Sequence, residues 1–231
     1  MASWMIHLRI ADALLDCWKD LEQTAFVMGN LAPDSGVPNE DWSVFTPPYD
    51  RTHFKTKTER GSAIDVERFC AEYLSDEALR RYNEKDFSFF LGYCVHLMTD
   101  IRWGKTVFAE LKREHKKEYE ENPNELVRIA KEDWYDLDFL YFEQHPHFRA
   151  FSVFEHAVGF ENEFMEMFRK DAFDNRRQHI CGFYRSDEHG ALHRTYRYLT
   201  PERANAFVQD TAAQLAAQVG GLIDRYKSSV Q

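Results

Sequence analysis

The chain has 231 residues, 44% of them hydrophobic and 15% aromatic, with a formal net charge of −10. That composition supports a sizeable core in one domain spanning residues 1–231. The acidic balance excludes a general nucleic-acid binder, which presents a basic face, so no stable nucleic-acid complex is expected.

In chain order, the N-terminal "MASWMIHLRIADALL" has no basic region before an apolar stretch, and Arg9 and Asp12 interrupt it, so no signal peptide is expected. Ile6, Ile10, Leu14, Leu15 and Trp18 recur at helical spacing. A second short helix carries Ala25 to Met28. The next stretch, roughly Gly29 to Ser62, holds four of the seven prolines and no sustained period. Structureless loops of that length are uncommon in compact domains and are often functional. "IDVERFCAEYLSDEALRRYNE" reads as two helical pieces, the second capped by Ser75. "KDFSFFLGYCVHLMTDIRWGKTVFAELKREH" reads as one long helix with a bend near Gly104, and the charge run after it as a solvated connection ending in a turn at Asn122-Pro123. "ELVRIAKEDWYDLDFLYFEQHP" is helical up to Pro146, "NEFMEMFRKDAFDNRRQHICGFYR" is another helix, and "SDEHGALHRTYRYLT" is looser. Thr200 and Pro201 open the last helix. No segment alternates as strands do, so the class is all-α with seven to nine helices.

Cys17, Cys70, Cys94 and Cys181 form no CxxC pair and read as free thiols in a reducing compartment. No run of about 20 apolar residues exists, so no membrane span is expected. A cytoplasmic protein is the expectation, and the oligomeric state cannot be read.

The chemistry gathers in "GYCVHLMTD", Gly92 to Asp100. His96 and Asp100, four apart, lie about 40° from one another around a helix and share a face. An ionised carboxylate in an apolar helix is costly unless paired or bound to a metal. Alone, the pair reads equally well as a buried hydrogen bond. His7 opens an apolar helix, Asp34 sits in the turn "GNLAPDS", and His53 sits in "DRTHF" of the long loop. Each alone reads as an ordinary turn or surface residue; together, three His and two Asp suit zinc or another first-row divalent ion.

In this order, His7, "GNLAPDS", "THF" and "GYCVHLMTD" resemble the zinc-dependent phospholipase C family over about the first 110 residues. The resemblance implies an all-α, single-domain multi-helix bundle of the phospholipase C / zinc nuclease type. It implies metal ligation by His7, Asp34, His53, His96 and Asp100, with Asp100 between two ions and Asp34 near the attacked phosphorus as ligand and catalytic base. Secreted members bind metal through a mature N-terminal Trp, whereas Trp4 here follows three residues. Their third metal site uses a His-rich pattern after H-x-x-x-D, where this chain offers only His115. One or two Zn²⁺ ions, or another divalent transition metal, are therefore expected.

Trp4, Tyr93 and Trp103 are candidates for a pocket wall, though aromatics at helical spacing more often form core. His189 and His193, four apart, are candidates to close the site from the C-terminal half. Arg102 and Lys105 follow the metal helix, but Arg102 points about 160° away from Asp100. No His has Glu three positions before it, which excludes a ferritin-like di-iron site; no His-Asp dipeptide, H-E-x-x-H, G-x-S-x-G or P-loop occurs. The expected function is a metal-dependent hydrolase that attacks a phosphate ester, of a small molecule or a phospholipid headgroup, with metal-activated water. The alternatives are a non-enzymatic helical protein with a structural metal site and one with a metal-free His–Asp pair.

Overall fold

A computed structural model describes residues 1–41, 43–59 and 61–229. Trp42 and Arg60 of the long loop, and residues 230 and 231 of the expected domain, lie outside the described residues. The chain is all-α apart from two short hairpins. In order come α1 (Trp4–Cys17), α2 (Gln23–Leu31), a 3-10 turn (Ala32–Asp34), β1 (Val37–Pro38), β2 (Phe45–Thr46), α3 (Tyr49–Thr52), β3 (Lys55–Thr58) and β4 (Gly61–Ile64). There follow α4 (Val66–Tyr73), α5 (Asp76–Leu79), α6 (Glu84–Lys105), α7 (Val107–Glu114), α8 (Lys116–Glu121), α9 (Pro123–Gln144), α10 (Arg149–His156), α11 (Ala172–Tyr184) and α12 (Pro201–Ser229).

The centre is α6. A capping box starts it: Asn83 Oδ1 accepts from Asp86 N at 2.9 Å, and Asp86 Oδ2 accepts from Asn83 N at 3.4 Å. Every residue from Phe87 to Leu97 is buried, so this helix is covered on all sides, by α1, α2, α4, α7 and α12 among others. Its approach to α2 needs glycine on both helices. A Cβ on Gly92 would lie 2.1 Å from Phe26 O, and one on Gly29 2.1 Å from Phe89 O. With no side chain between them, the two backbones pack directly, and the C-terminal end of α2 comes to rest beside the middle of α6. The buried hydrophobic residues form one core cluster running from Ala2 to Ile223.

Several elements differ from the sequence reading. Twelve α-helices are present among the described residues rather than seven to nine, because the charge run folds into α8 and α10 is a separate helix. The long loop is not structureless: β1 pairs antiparallel with β2, and β3 with β4, on either side of α3. The long helix ends at Lys105, where Thr106 takes a non-helical conformation, rather than bending near Gly104. Residues 162–171 are not helical. Asn162 explains that stretch: its Oδ1 accepts from Phe164 N and Met165 N, and its Nδ2 donates to Met165 O and Phe168 O. A side chain satisfying those backbone groups replaces the helical bonds they would make.

The loop 185–200 is irregular as expected and is braced by two acids of α9. Asp133 accepts from Arg197 N and Tyr198 N, Asp136 accepts from Gly190 N, and Arg194 bridges both carboxylates. Thr200 Oγ1 then caps α12 by accepting from Arg203 N at 3.3 Å.

Candidate metal centre

Four elements deliver five side chains to one place. His7 comes from α1, Asp34 from the 3-10 turn, His53 from the end of α3, and His96 and Asp100 from α6. His7, His53 and His96 are fully buried and Asp100 is 6% exposed. Two groups have ligand atoms all within 4.8 Å of one another: His7, His96 and Asp100, and Asp34, His53 and His96. Asp100 faces both, with Oδ1 3.5 Å from His7 Nε2 and Oδ2 3.6 Å from His53 Nε2. Asp34 Oδ1 lies 3.4 Å from His53 Nε2. The His7 and His96 rings stack with centroids 3.8 Å apart.

A hydrogen bond fixes the tautomer of His96. His96 Nδ1 lies 2.8 Å from Asn30 O, which can only accept, so Nδ1 carries the proton and Nε2 keeps a lone pair. His53 Nδ1 contacts Tyr49 O at 3.2 Å and Thr52 Oγ1 at 2.9 Å; in the tautomer that donates to the carbonyl, its Nε2 is a lone pair too. These two Nε2 atoms stand 3.1 Å apart, with Asp34 and Asp100 beside them. Both ring nitrogens of buried His7 have no hydrogen-bond partner. Converging lone pairs, two carboxylates and an orphaned imidazole form a donor set short of a cation, and three His with two Asp is chemistry that zinc accepts.

The protonation states agree with that donor set. Burial, and next the neighbouring His7, push His96 down to about 3, so it is neutral at pH 7. Burial opposes ionisation of Asp34, but the three imidazoles around it, His53 first, outweigh it and hold Asp34 at about 2. Asp100 is held well below the usual carboxylate range against the same opposing burial, by His7 and His96. Neutral imidazole and ionised carboxylate are the forms that bind a metal.

Several contributors carry no signal in the sequence reading. Asp100 Oδ1 accepts from Ala2 N at 2.8 Å and its Oδ2 accepts from Tyr49 Oη at 3.3 Å. Tyr49 was findable, since it precedes His53 by four residues. Asn30 acts through its carbonyl, which leaves no mark in the sequence. A cavity of roughly 640 Å³ opens on Asp34, lined by Trp4, Phe45, Tyr49, Tyr135, Arg176 and Phe183 among others. Three of those six come from α9 and α11, beyond the motifs.

Of the three aromatics expected at a pocket wall, only Trp4 lines this cavity. Tyr93 is fully buried, stacks on Phe69 and donates its hydroxyl to Thr52 O, which braces the segment carrying His53. Trp103 is core, edge-on to Trp134 and Phe207. His189 and His193 do not join the site: both are exposed, His189 against Phe139 and His193 on Glu143. His115 pairs with Glu118, Arg102 donates to Thr211 and Gln214 of α12, and Lys105 is exposed.

Among the described residues no helix is long and apolar enough to cross a membrane. Neither a curated protein nor a solved structure matches the chain. A family model does: that of zinc dependent phospholipase C, over residues 5–220, about twice the stretch in which the sequence motifs are visible. With that match across nearly the whole chain, the protein belongs to the zinc-dependent phospholipase C family, a family of zinc hydrolases.

Proposed function

We propose that this protein hydrolyses a phosphodiester, of a phospholipid headgroup or a small molecule, at one or two zinc ions held by His7, Asp34, His53, His96 and Asp100. The observation that carries the reading is the 3.1 Å approach of His53 Nε2 and His96 Nε2 between two carboxylates. Zinc, when bound, supplies a Lewis acid that brings the pKa of water to about 7 and offsets charge on phosphoryl oxygens. The chain's own residues do the rest. Asn30 O and Tyr49 O orient His96 and His53, while Ala2 N and Tyr49 Oη hold Asp100. Asp34 belongs both to the donor set and to the cavity wall. Held as an anion, it accepts a hydrogen bond from the attacking water, orients it, and takes its proton as the new P–O bond forms; the ester P–O bond then breaks and a proton is delivered to the departing alkoxide. The apolar cavity walls exclude other water and seat the ester's organic part.

A closed structural metal site is the competing reading. The cavity opening at Asp34 favours an exchangeable position over a closed one. The test couples elemental analysis to turnover of a phosphodiester panel. Zinc is expected at one or two ions per chain, and Asp34→Asn and His96→Ala should each lower kcat/KM by at least about a hundredfold. Full turnover in both variants, or protein with no bound metal, sinks the assignment.

A further inference from the structure

Arg176 is the feature of the cavity that the hydrolase reading leaves unused. It sits on α11, lines the cavity and is 6% exposed. Its Nη2 donates to Gly36 O at 2.6 Å, and its guanidinium carbon lies 5.7 Å from the centroid of the Trp4 ring. Among the described residues no carboxylate oxygen comes within 4 Å of it; Asp34 acts on it only at longer range. The next residue, Arg177, shows the usual arrangement, with Nε 2.7 Å from Asp174 Oδ1.

A guanidinium presents five N–H groups in a rigid fork. Burying that charge against one neutral acceptor is costly, and the deficit is largest where water is excluded. Trp4, Phe45, Tyr135 and Phe183 make the surrounding wall apolar, which strengthens any anion contact made there. Of the described residues lining the cavity, Arg176 is the only Lys or Arg. His179, on the next turn of α11, stands edge-on to Trp4, and burial together with Arg176 lowers its pKa, so it adds no second cation. Glu188 is exposed at the rim.

Resting on the hydrolase reading, we propose that Arg176 holds an oxyanion of the phosphate ester in this cavity. It thereby selects esters whose cavity-bound part is anionic over those bearing a quaternary ammonium. Aromatic walls by themselves attract a trimethylammonium group; a fixed guanidinium among them opposes it. The oxyanion is either the scissile phosphate or a second acidic group on the same molecule.

The test uses the full chain with added zinc and the variants Arg176→Met and Arg176→Lys. Phenylphosphonate, which has no ester bond to hydrolyse, is titrated by calorimetry. Arg176→Met should bind it about tenfold or more weakly than wild type at an unchanged melting temperature, the loss of one charge-assisted contact. Arg176→Lys should fall between, keeping the charge without the fork. Equal affinity in wild type and Arg176→Met, or no binding to wild type, overturns the proposal. Kinetics then locate the oxyanion. The methyl ester of para-nitrophenyl phosphate carries only the scissile phosphate, the carboxyethyl ester adds an acid, and para-nitrophenyl phosphorylcholine adds a trimethylammonium. A KM rise in Arg176→Met on the methyl ester assigns the scissile phosphate. A rise confined to the carboxyethyl ester assigns the second acid. In both cases the variant's preference moves toward the choline ester. An equal loss on all three with a lowered melting temperature marks a structural role and overturns the proposal. If wild type cleaves none of them, the hydrolase reading fails, and the phosphonate titration still decides the role of Arg176.

Discussion

Two imidazole nitrogens 3.1 Å apart need a proton or a metal cation shared between them, because two facing lone pairs repel. Tyr49 secures the carboxylate that faces them, with its hydroxyl 3.3 Å from Asp100 Oδ2. Tyr49→Phe should therefore weaken zinc by about ten- to a hundredfold, read by competition with a chromogenic chelator; an unchanged affinity would remove Tyr49 from the metal's support. A second buried acid behaves differently. Asp138 accepts from Ser3 Oγ and Tyr184 Oη, yet burial dominates and pushes it up to about 7. Its folded pKa exceeds the unfolded value near 3.8, so between these two pH values the folded state binds more protons. The stability it contributes is present below the lower value and is lost as pH rises to about 7. Asp138→Asn, which cannot ionise, should gain on wild type by on the order of a few kcal/mol between those limits, measured by urea unfolding at both ends. A pH-independent difference would place the folded pKa at its ordinary value.

At the scale of elements, the α2–α6 contact is set by two glycines, and they are not interchangeable with Gly104. Gly92→Ala places a methyl 2.1 Å from Phe26 O, which only helix separation relieves. It should cost about 1–3 kcal/mol or more in urea unfolding. It should also reduce zinc content, because Asn30 O moves with α2. Gly104→Ala meets nothing within 4 Å and should be neutral or gain up to about 1 kcal/mol. Equal effects at the two positions would refute the close-approach argument. Element identity was legible where local chemistry decides it: Ser75 and Thr200 accept the helix-initiating N–H groups assigned to them. It failed at residues 162–171, where apolar spacing favours a helix but the side chain of Asn162 takes the backbone bonds instead. It failed in the long loop too, whose strands are too short, two to four residues each, to show a period.

For the molecule as a whole, the five converging side chains tie α1, the turn after α2, α3 and α6 to one point. Zinc at a hundred times its dissociation constant stabilises the fold by about 2.7 kcal/mol, which corresponds to roughly 5–10 °C for a chain of this size. Chelation should lower the melting temperature by that amount, and zinc should restore it; a chelator-insensitive transition would argue that the site contributes no cross-link. The five candidates could be singled out because each carries a local mark: Asp100 four positions after His96, a Pro-Asp turn, a loop His. Their convergence was not legible, since it depends on helices separated by up to 93 positions, from His7 to Asp100. The cavity wall from α9 and α11 was less legible still, because Tyr135, Arg176 and Phe183 look in sequence like any amphipathic helix face.

The carbonyl of Asn30 has a consequence for how this centre tolerates change. The atom that sets the tautomer of His96 belongs to the main chain, so every residue type supplies it equally. A side-chain scan at position 30 would report the fate of the Asn30 amide, which donates to Gly92 O at 3.4 Å, and would miss the contact with His96 altogether. The information that orients this imidazole is stored instead in what is missing at positions 29 and 92. Two absent methyl groups decide which nitrogen of His96 faces His53 and Asp100, from atoms that never approach them.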